Sequence, residues 1–214
     1  MGKQINKCTI ISGSPECDIG FILEKFDKKS FVICADSGYL LCEKLGITPH
    51  LIVGDFDSSN LPDIKTQIVK LNCEKAYTDT FHCVMEADRL GFNHIEIYNA
   101  IGTRLDHTYS NILCLNYCKQ KNIECSLINR NNRISLITKD KKIYKDYNNF
   151  SLFAFLEKCI GVKIKGAYYT AGFYDKNTLD FELDSQFGVS NYVCDDFAEV
   201  SLEQGCLMLI ESND

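Results

Sequence analysis

"FVICADSGYLLCEKLGITPHLIVGDFDSS" (residues 31–59) decides how this chain is read. Two short apolar runs, 31–35 and 51–54, are rich in β-branched residues. Between them lies "GYLLCEKLG" (38–46), a helix-like pattern that ends in glycine. Strand, helix and strand in so short a span make the unit from which parallel sheets are built. The runs are apolar throughout, as in a sheet covered on both sides. Each then ends abruptly in acid, the first in "DSG" and the second in "DFDSS". Placing Asp55 and Asp57 together at the mouth of a buried strand is opposed by repulsion and by desolvation. The pattern therefore calls for a cation.

The same alternation extends over the first 130 residues. "CTIIS" (8–12), "QIVKL" (67–71), "IEIYN" (95–99) and "CSLIN" (125–129) read as strands. "IGFILEKFDKK" (19–29), "TFHCVMEADRLG" (80–91) and "HTYSNILCLNYCKQK" (107–121) read as helices. In 80–91, Phe81, Val84, Met85 and Leu90 fall near one helical face, and Gly91 supplies a stop. This is the signature of an α/β domain with a largely parallel sheet, spanning 1–130. After Arg130 the pattern changes. "RISLIT", "KKIYKDY", "SLFAFL", "GVKIKGAYYT", "TLDFEL", "AEVSLEQ" and "CLMLIES" read as successive strands, with no good helix among them. Alternation in "VKIKG" and "AEVSLEQ" leaves one face to solvent. Residues 131–214 are expected to form an all-β sandwich. The boundary falls at "NRNNR" (129–133), a polar, turn-prone stretch.

Composition narrows the function classes. The net charge is -6 and the pI about 5.3, with no basic tract, which argues against nucleic acid as a partner. No apolar run approaches the ~18 residues of a membrane span, and the N-terminal apolar stretch is short for a signal peptide. The twelve cysteines include no C-x-x-C pair, so they read as reduced, buried, small hydrophobes of a cytoplasmic protein.

In open parallel sheets, ligands bind beyond the carboxyl ends of the strands. The residues that follow the predicted strands are therefore the candidates. After 31–35 come Asp36, Ser37 and Gly38; after 51–54 come Asp55 and Asp57; after 67–71, across a short loop, come Thr78 and Asp79. After 95–99 comes "AIGTRLDHTYSN", with Gly102, Arg104, Asp106, His107 and Asn111. Carboxylates gathered at one edge need cations, and hard oxygen ligands suit Mg²⁺ completed by substrate phosphates. Arg104 brings a planar fork suited to phosphate oxygens. Gly13, Gly38 and Gly102 lie where backbone N–H groups can approach a phosphate. Acids, metal, arginine and glycine loops together point to phosphoryl-type transfer from a nucleotide. Ordinary turn and cap roles remain open for "DSG", Asp79 and Asp106, and a structural role for His107.

"CADSG", "LGITPHLIVGDFDS", "TD" and "GTRLDHTYSNI", with "KGAYYTA", "LDFEL", "FGVSN" and "SLEQGCLMLIES" in the second domain, resemble the motifs of the thiamine pyrophosphokinase family, in order and over nearly the whole chain. The resemblance implies transfer of the diphosphoryl group of ATP to the hydroxyl of thiamine, giving AMP and thiamine diphosphate. It implies a homodimer with thiamine sites where the α/β domain of one subunit meets the β domain of the other. Asp55, Asp57 and Asp79 would hold Mg²⁺. Asp36, Ser37, Gly38, Thr78, Gly102, Arg104, Asp106, His107 and Asn111 would bind ATP, and Ser190 and Asn191 would bind thiamine. Asp79, and after it Asp106, would be the first choices for a base. Ala76 stands where relatives often carry Asp, so Glu74 is a candidate replacement; Thr103 replaces a common glycine, and Tyr192 a common Glu. Tyr168, Tyr169 or Phe187 would stack on the thiazolium ring. The competing readings are a metal-dependent nucleotide phosphohydrolase and a non-catalytic nucleotide or thiamine sensor.

Overall fold

The computed structural model describes residues 6–56 and 66–214, which form two compact units, 1–130 and 131–214. In unit 1 the elements are β1 (Lys7–Ile11), α1 (Ile19–Lys25), β2 (Phe31–Ala35), α2 (Gly38–Leu45), β3 (Leu51–Gly54), β4 (Gln67–Lys70), α3 (Asp79–Arg89), β5 (His94–Tyr98), α4 (Leu105–Gln120) and β6 (Glu124–Ile128). The strands pair in the order β4-β3-β2-β1-β5-β6, and each of these pairs is parallel. Ile10, Ile33, Ile52 and Ile97 are fully buried in the central strands. Each such side chain contributes roughly 1.5–3 kcal/mol relative to exposure.

Strand order carries functional weight. From β1 the chain steps outward through β2, β3 and β4, then returns to pair β5 on the opposite side of β1. The order reverses between β1 and β5, and such switch points open a crevice at the carboxyl ends of the strands. Ile11 is in register with both Cys34 and Tyr98, so the segments leaving β1, β2 and β5 emerge at one edge.

Two local expectations are corrected. The buried face of α3 is Thr80, Cys83, Val84 and Ala87, at helical spacing. Small side chains face inward there; Phe81 instead stacks on Tyr77, with ring centroids 4.8 Å apart, and Leu90 is exposed. Asp79 is the first residue of α3 rather than its cap: Thr78 caps the helix, its hydroxyl accepting from the Phe81 N–H at 3.2 Å.

In unit 2, β7 (Asn132–Ile137), β13 (Leu207–Ser212) and β9 (Asn149–Ala154) pair antiparallel in that order. A second antiparallel sheet runs β11 (Leu179–Phe181), β10 (Cys159–Lys165), β12 (Phe197–Ser201) and β8 (Lys141–Tyr144). One core joins the two sheets, with Ile137, Phe150, Leu152 and Leu209 from the first and Ile143, Val162, Phe181 and Val200 from the second. This is a sandwich. Val162 and Ile164 point inward while Lys163 and Lys165 are exposed. The strand expected over 161–170 stops at Lys165 because Gly166 turns the chain with φ +69. A Cβ there would sit 2.4 Å from the Phe197 carbonyl oxygen. A short 3₁₀ turn at Ala171–Tyr174 follows, where the sequence showed no helix. All twelve cysteines are free thiols, nine of them buried, and burial pushes the Cys114 thiol up to about 12.

Candidate functional site

A pocket of about 300 Å³ opens in unit 1 at the β1/β5 switch point. Its wall takes Ser12, Gly13 and Ser14 from the loop after β1, Asp36 and Ser37 after β2, and Asn99 and Gly102 after β5. Thr78, Asp79 and Thr80 enter from the start of α3, and Arg104, His107 and Asn111 from α4 and its cap. Hydrogen bonds lock the floor. Asn99 Nδ2 donates to the carbonyls of Ser12 (2.9 Å) and Ser14 (2.7 Å), and the Ser12 and Thr80 hydroxyls meet at 2.9 Å. Thr108 closes the next loop, its hydroxyl accepting from the Gly102 N–H at 3.1 Å. Asp36, Phe56 and Asn99, each just beyond a strand end, have φ of 42, 57 and 57. Left-handed backbone at non-glycine residues costs of order 1 kcal/mol or more and concentrates at functional sites.

Seven residues selected from the sequence for ATP thus line one pocket, namely Asp36, Ser37, Thr78, Gly102, Arg104, His107 and Asn111, and Asp79, selected as a metal ligand, joins them. Others are placed differently. Gly38 is buried and tucked against the end of β1, outside the lining. Asp106 turns to Arg104, whose Nε lies 3.2 Å from Asp106 Oδ1. This pair is exposed, and Arg104 holds the Asp106 carboxyl below the usual carboxylate range. Asn111 is buried and donates its amide to the Ala100 carbonyl at 2.8 Å. Asp57 lies outside the described residues.

The cation that the opening motif calls for has a protein source. Lys75 Nζ pairs with Asp55 Oδ2 and lies 2.9 Å from Asp79 Oδ1. Burial works against its charge, and the two carboxylates overcome this, so its ammonium is held above the usual lysine range. Glu74 and Ala76 on either side are exposed. Among the described residues, no three His, Cys, Asp or Glu side chains gather as a metal site. Two carboxylates do converge on one cation, however, and Mg²⁺ needs only one or two carboxylates when phosphates and waters complete its shell. Asp55 and Asp79 fit that role.

Unit 2 presents a separate polar and aromatic cluster. Ser190 is exposed, with φ 57. Asn191 is buried; its Oδ1 accepts from the N–H groups of Tyr169 and Tyr192 at 2.9 Å, and its Nδ2 donates to the Tyr169 carbonyl at 2.7 Å. It therefore pins the segments bearing Tyr168 and Tyr192, whose rings stack 5.0 Å apart and stay accessible. Phe187 instead packs against Phe181 at the sandwich core.

Sequence reasoning did not select Ser12, Ser14, Asn99 or Lys75. The first two carried a legible signal, "SGSP" after the first strand, a loop composition suited to anions. Asn99 carried none, because its partners Ser12 and Ser14 are distant in the chain; Lys75 stands four residues before Asp79, but its contact with Asp55 is made only by the fold.

A parallel sheet with an acidic, glycine-bearing pocket at its switch point, continued by a β-sandwich, is an α/β ligand-binding domain joined to a β-sandwich domain. A sequence model of the thiamin pyrophosphokinase catalytic domain matches residues 23–127. The thiamine pyrophosphokinase of Bacillus subtilis (strain 168) is 28% identical over 222 residues, covering 99% of this chain and all of that protein. The crystal structure of thiamine pyrophosphokinase from Bacillus subtilis shares the fold, with a TM-score of 0.85, 23% identity, and 97% and 99% of the two chains covered. That of the Geobacillus thermodenitrificans protein does so with a TM-score of 0.83, 21% identity, and 97% and 98% covered. The chain is thus similar to thiamine pyrophosphokinases over nearly its whole length.

Proposed function

We propose that this protein transfers the β,γ-diphosphoryl group of ATP to the hydroxyl of thiamine, giving thiamine diphosphate and AMP. The observation that carries the reading is the pocket at the β1/β5 switch point, where Asp79, Arg104 and the glycine loops face one cavity. The thiamine oxygen bonds to the β-phosphorus as the bond from that phosphorus to the α,β-bridging oxygen breaks. The electron pair leaves with AMP. Such transfer depends mainly on positioning and charge neutralisation. Arg104 faces the phosphates as the exposed guanidinium of the rim. Asp55, Asp57 and Asp79 would hold Mg²⁺, which would supply positive charge to neutralise the polyphosphate. Asp79 is the first choice to take the hydroxyl proton and Asp106 the second, since Asp79 lines the pocket. Ser190 and Asn191 serve thiamine, Asn191 by holding Tyr168 and Tyr192 in place for the cationic ring. The protein works in the cytoplasm as a homodimer.

The test is product analysis of the purified protein with ATP and Mg²⁺. AMP and thiamine diphosphate forming together, and only when thiamine is present, are expected. Phosphate release without thiamine would replace transfer by hydrolysis. Binding of both ligands without AMP would make the protein a sensor.

A further inference from the structure

Lys75 occupies the position from which the acid pair draws its counter-charge. Its ammonium contacts Asp55 at the end of β3 and Asp79 at the start of α3. The side chains are 14% (Lys75), 10% (Asp55) and 24% (Asp79) exposed, so water screens them little. One lysine thus ties a strand end to a helix start across two like charges that would otherwise repel. A divalent ion taken by these carboxylates needs the same oxygen lone pairs, and two cations in contact repel each other.

We propose that Lys75 is an exchangeable counter-ion. It holds Asp55 and Asp79 together when no metal is bound, and it gives them up when a divalent cation enters. The proposal rests on the reading above in which these two acids bind the metal. No covalent bond changes; one cation replaces another. Preassembly keeps the acids close in the metal-free protein, at the cost of weaker metal binding. Asp79 lines the pocket, so the released ammonium stays at its wall, where a polyphosphate supplies the next anion.

The test uses Mg²⁺ alone, without nucleotide or thiamine. Isothermal titration of Lys75→Met is expected to show binding about tenfold tighter than wild type, equivalent to about 1.4 kcal/mol. The same variant should melt below wild type in EDTA and recover on adding Mg²⁺. Unchanged or weaker Mg²⁺ binding overturns the proposal. The wild-type protein provides an independent measurement, brief acetic anhydride labelling read by mass spectrometry. Lys75 should be protected in EDTA and labelled faster with Mg²⁺; equal labelling in both overturns the exchange. Complete absence of Mg²⁺ binding by wild type would refute the metal assignment beneath the proposal as well. Failure of AMP formation with normal Mg²⁺ binding would refute only the proposed reaction.

Discussion

Gly38→Ala separates a structural glycine from ligand-binding ones. Gly38 opens α2 directly beyond β2. A Cβ built there lies 2.3 Å from the Ile11 carbonyl oxygen, 3.1 Å from the Ile11 carbonyl carbon and 3.3 Å from that of Ser12. Ordinary carbon–oxygen contact begins near ~3.3 Å, so α2 must withdraw from β1 by about an ångström. All three atoms are backbone, and no rotamer change relieves them. Overpacking of this kind costs roughly 1–3 kcal/mol, and a backbone clash belongs at the upper end. Alanine's better helix propensity returns at most about 1 kcal/mol. The net loss is about 2 kcal/mol, and at roughly 2–4 °C per kcal/mol for a chain of this size the melting temperature falls by about 4–8 °C. Scanning calorimetry reads this directly. Gly13→Ala and Gly102→Ala are the controls: their added Cβ atoms would clash only with the hydroxyls of Ser37 (2.5 Å) and Ser14 (2.4 Å), which can rotate away, the other neighbours lying at ordinary contact distance. These variants should melt close to wild type and bind ATP more weakly. A Gly38→Ala protein that melts with wild type would refute the close approach of α2 to β1 and return Gly38 to the ligand.

Other substitutions probe the site and the fold. Asp57→Asn should lower turnover by orders of magnitude with the circular dichroism spectrum unchanged; near-normal activity with Mg²⁺ would remove Asp57 from the metal set. Arg104→Ala removes a side chain that is 69% exposed. Its urea midpoint should move by no more than about 0.5 kcal/mol, while ATP binding weakens about tenfold or more, as loss of a charge-assisted contact requires. Asn111→Ala leaves the Ala100 carbonyl without its amide donor in a buried site. It should cost about 1–3 kcal/mol in urea unfolding, and an unchanged midpoint would reassign the amide to ligand. His94 lies between Glu124 (3.4 Å) and Glu96 (3.6 Å), and these carboxylates raise its pKa to about 9, above the ordinary histidine value. Its stabilisation is therefore complete below the unfolded value of about 6.5 and fades as the pH rises through about 9. The full shift corresponds to about 3 kcal/mol, and the long, partly exposed pairs reduce this to about 1 kcal/mol. Urea unfolding at about pH 6 and pH 9.5 should show that loss in wild type but not in His94→Gln.

Much of the architecture is legible in the chain because strand and helix patterns are local. The apolar runs at 31–35, 51–54 and 95–99 become β2, β3 and β5, and the acids and glycines that end them gather at one edge. The misreadings arise where volume overrides hydrophobicity. Thr80, Cys83 and Ala87 face inward on α3 because small side chains allow close approach to the sheet, while Leu90 remains outside.

By itself, the sequence determined the succession of elements, the change of class after Arg130, and the acids that follow the strands, since period and charge are written in neighbouring residues. Only the tertiary structure decided that β5 returns beside β1 and opens the pocket there, that Lys75 is the cation between Asp55 and Asp79, and that Asn191 spends its carboxamide on the backbone of Tyr169 and Tyr192. Each of these depends on which distant segments meet. That is set by packing the whole sheet and sandwich, and no local pattern carries it.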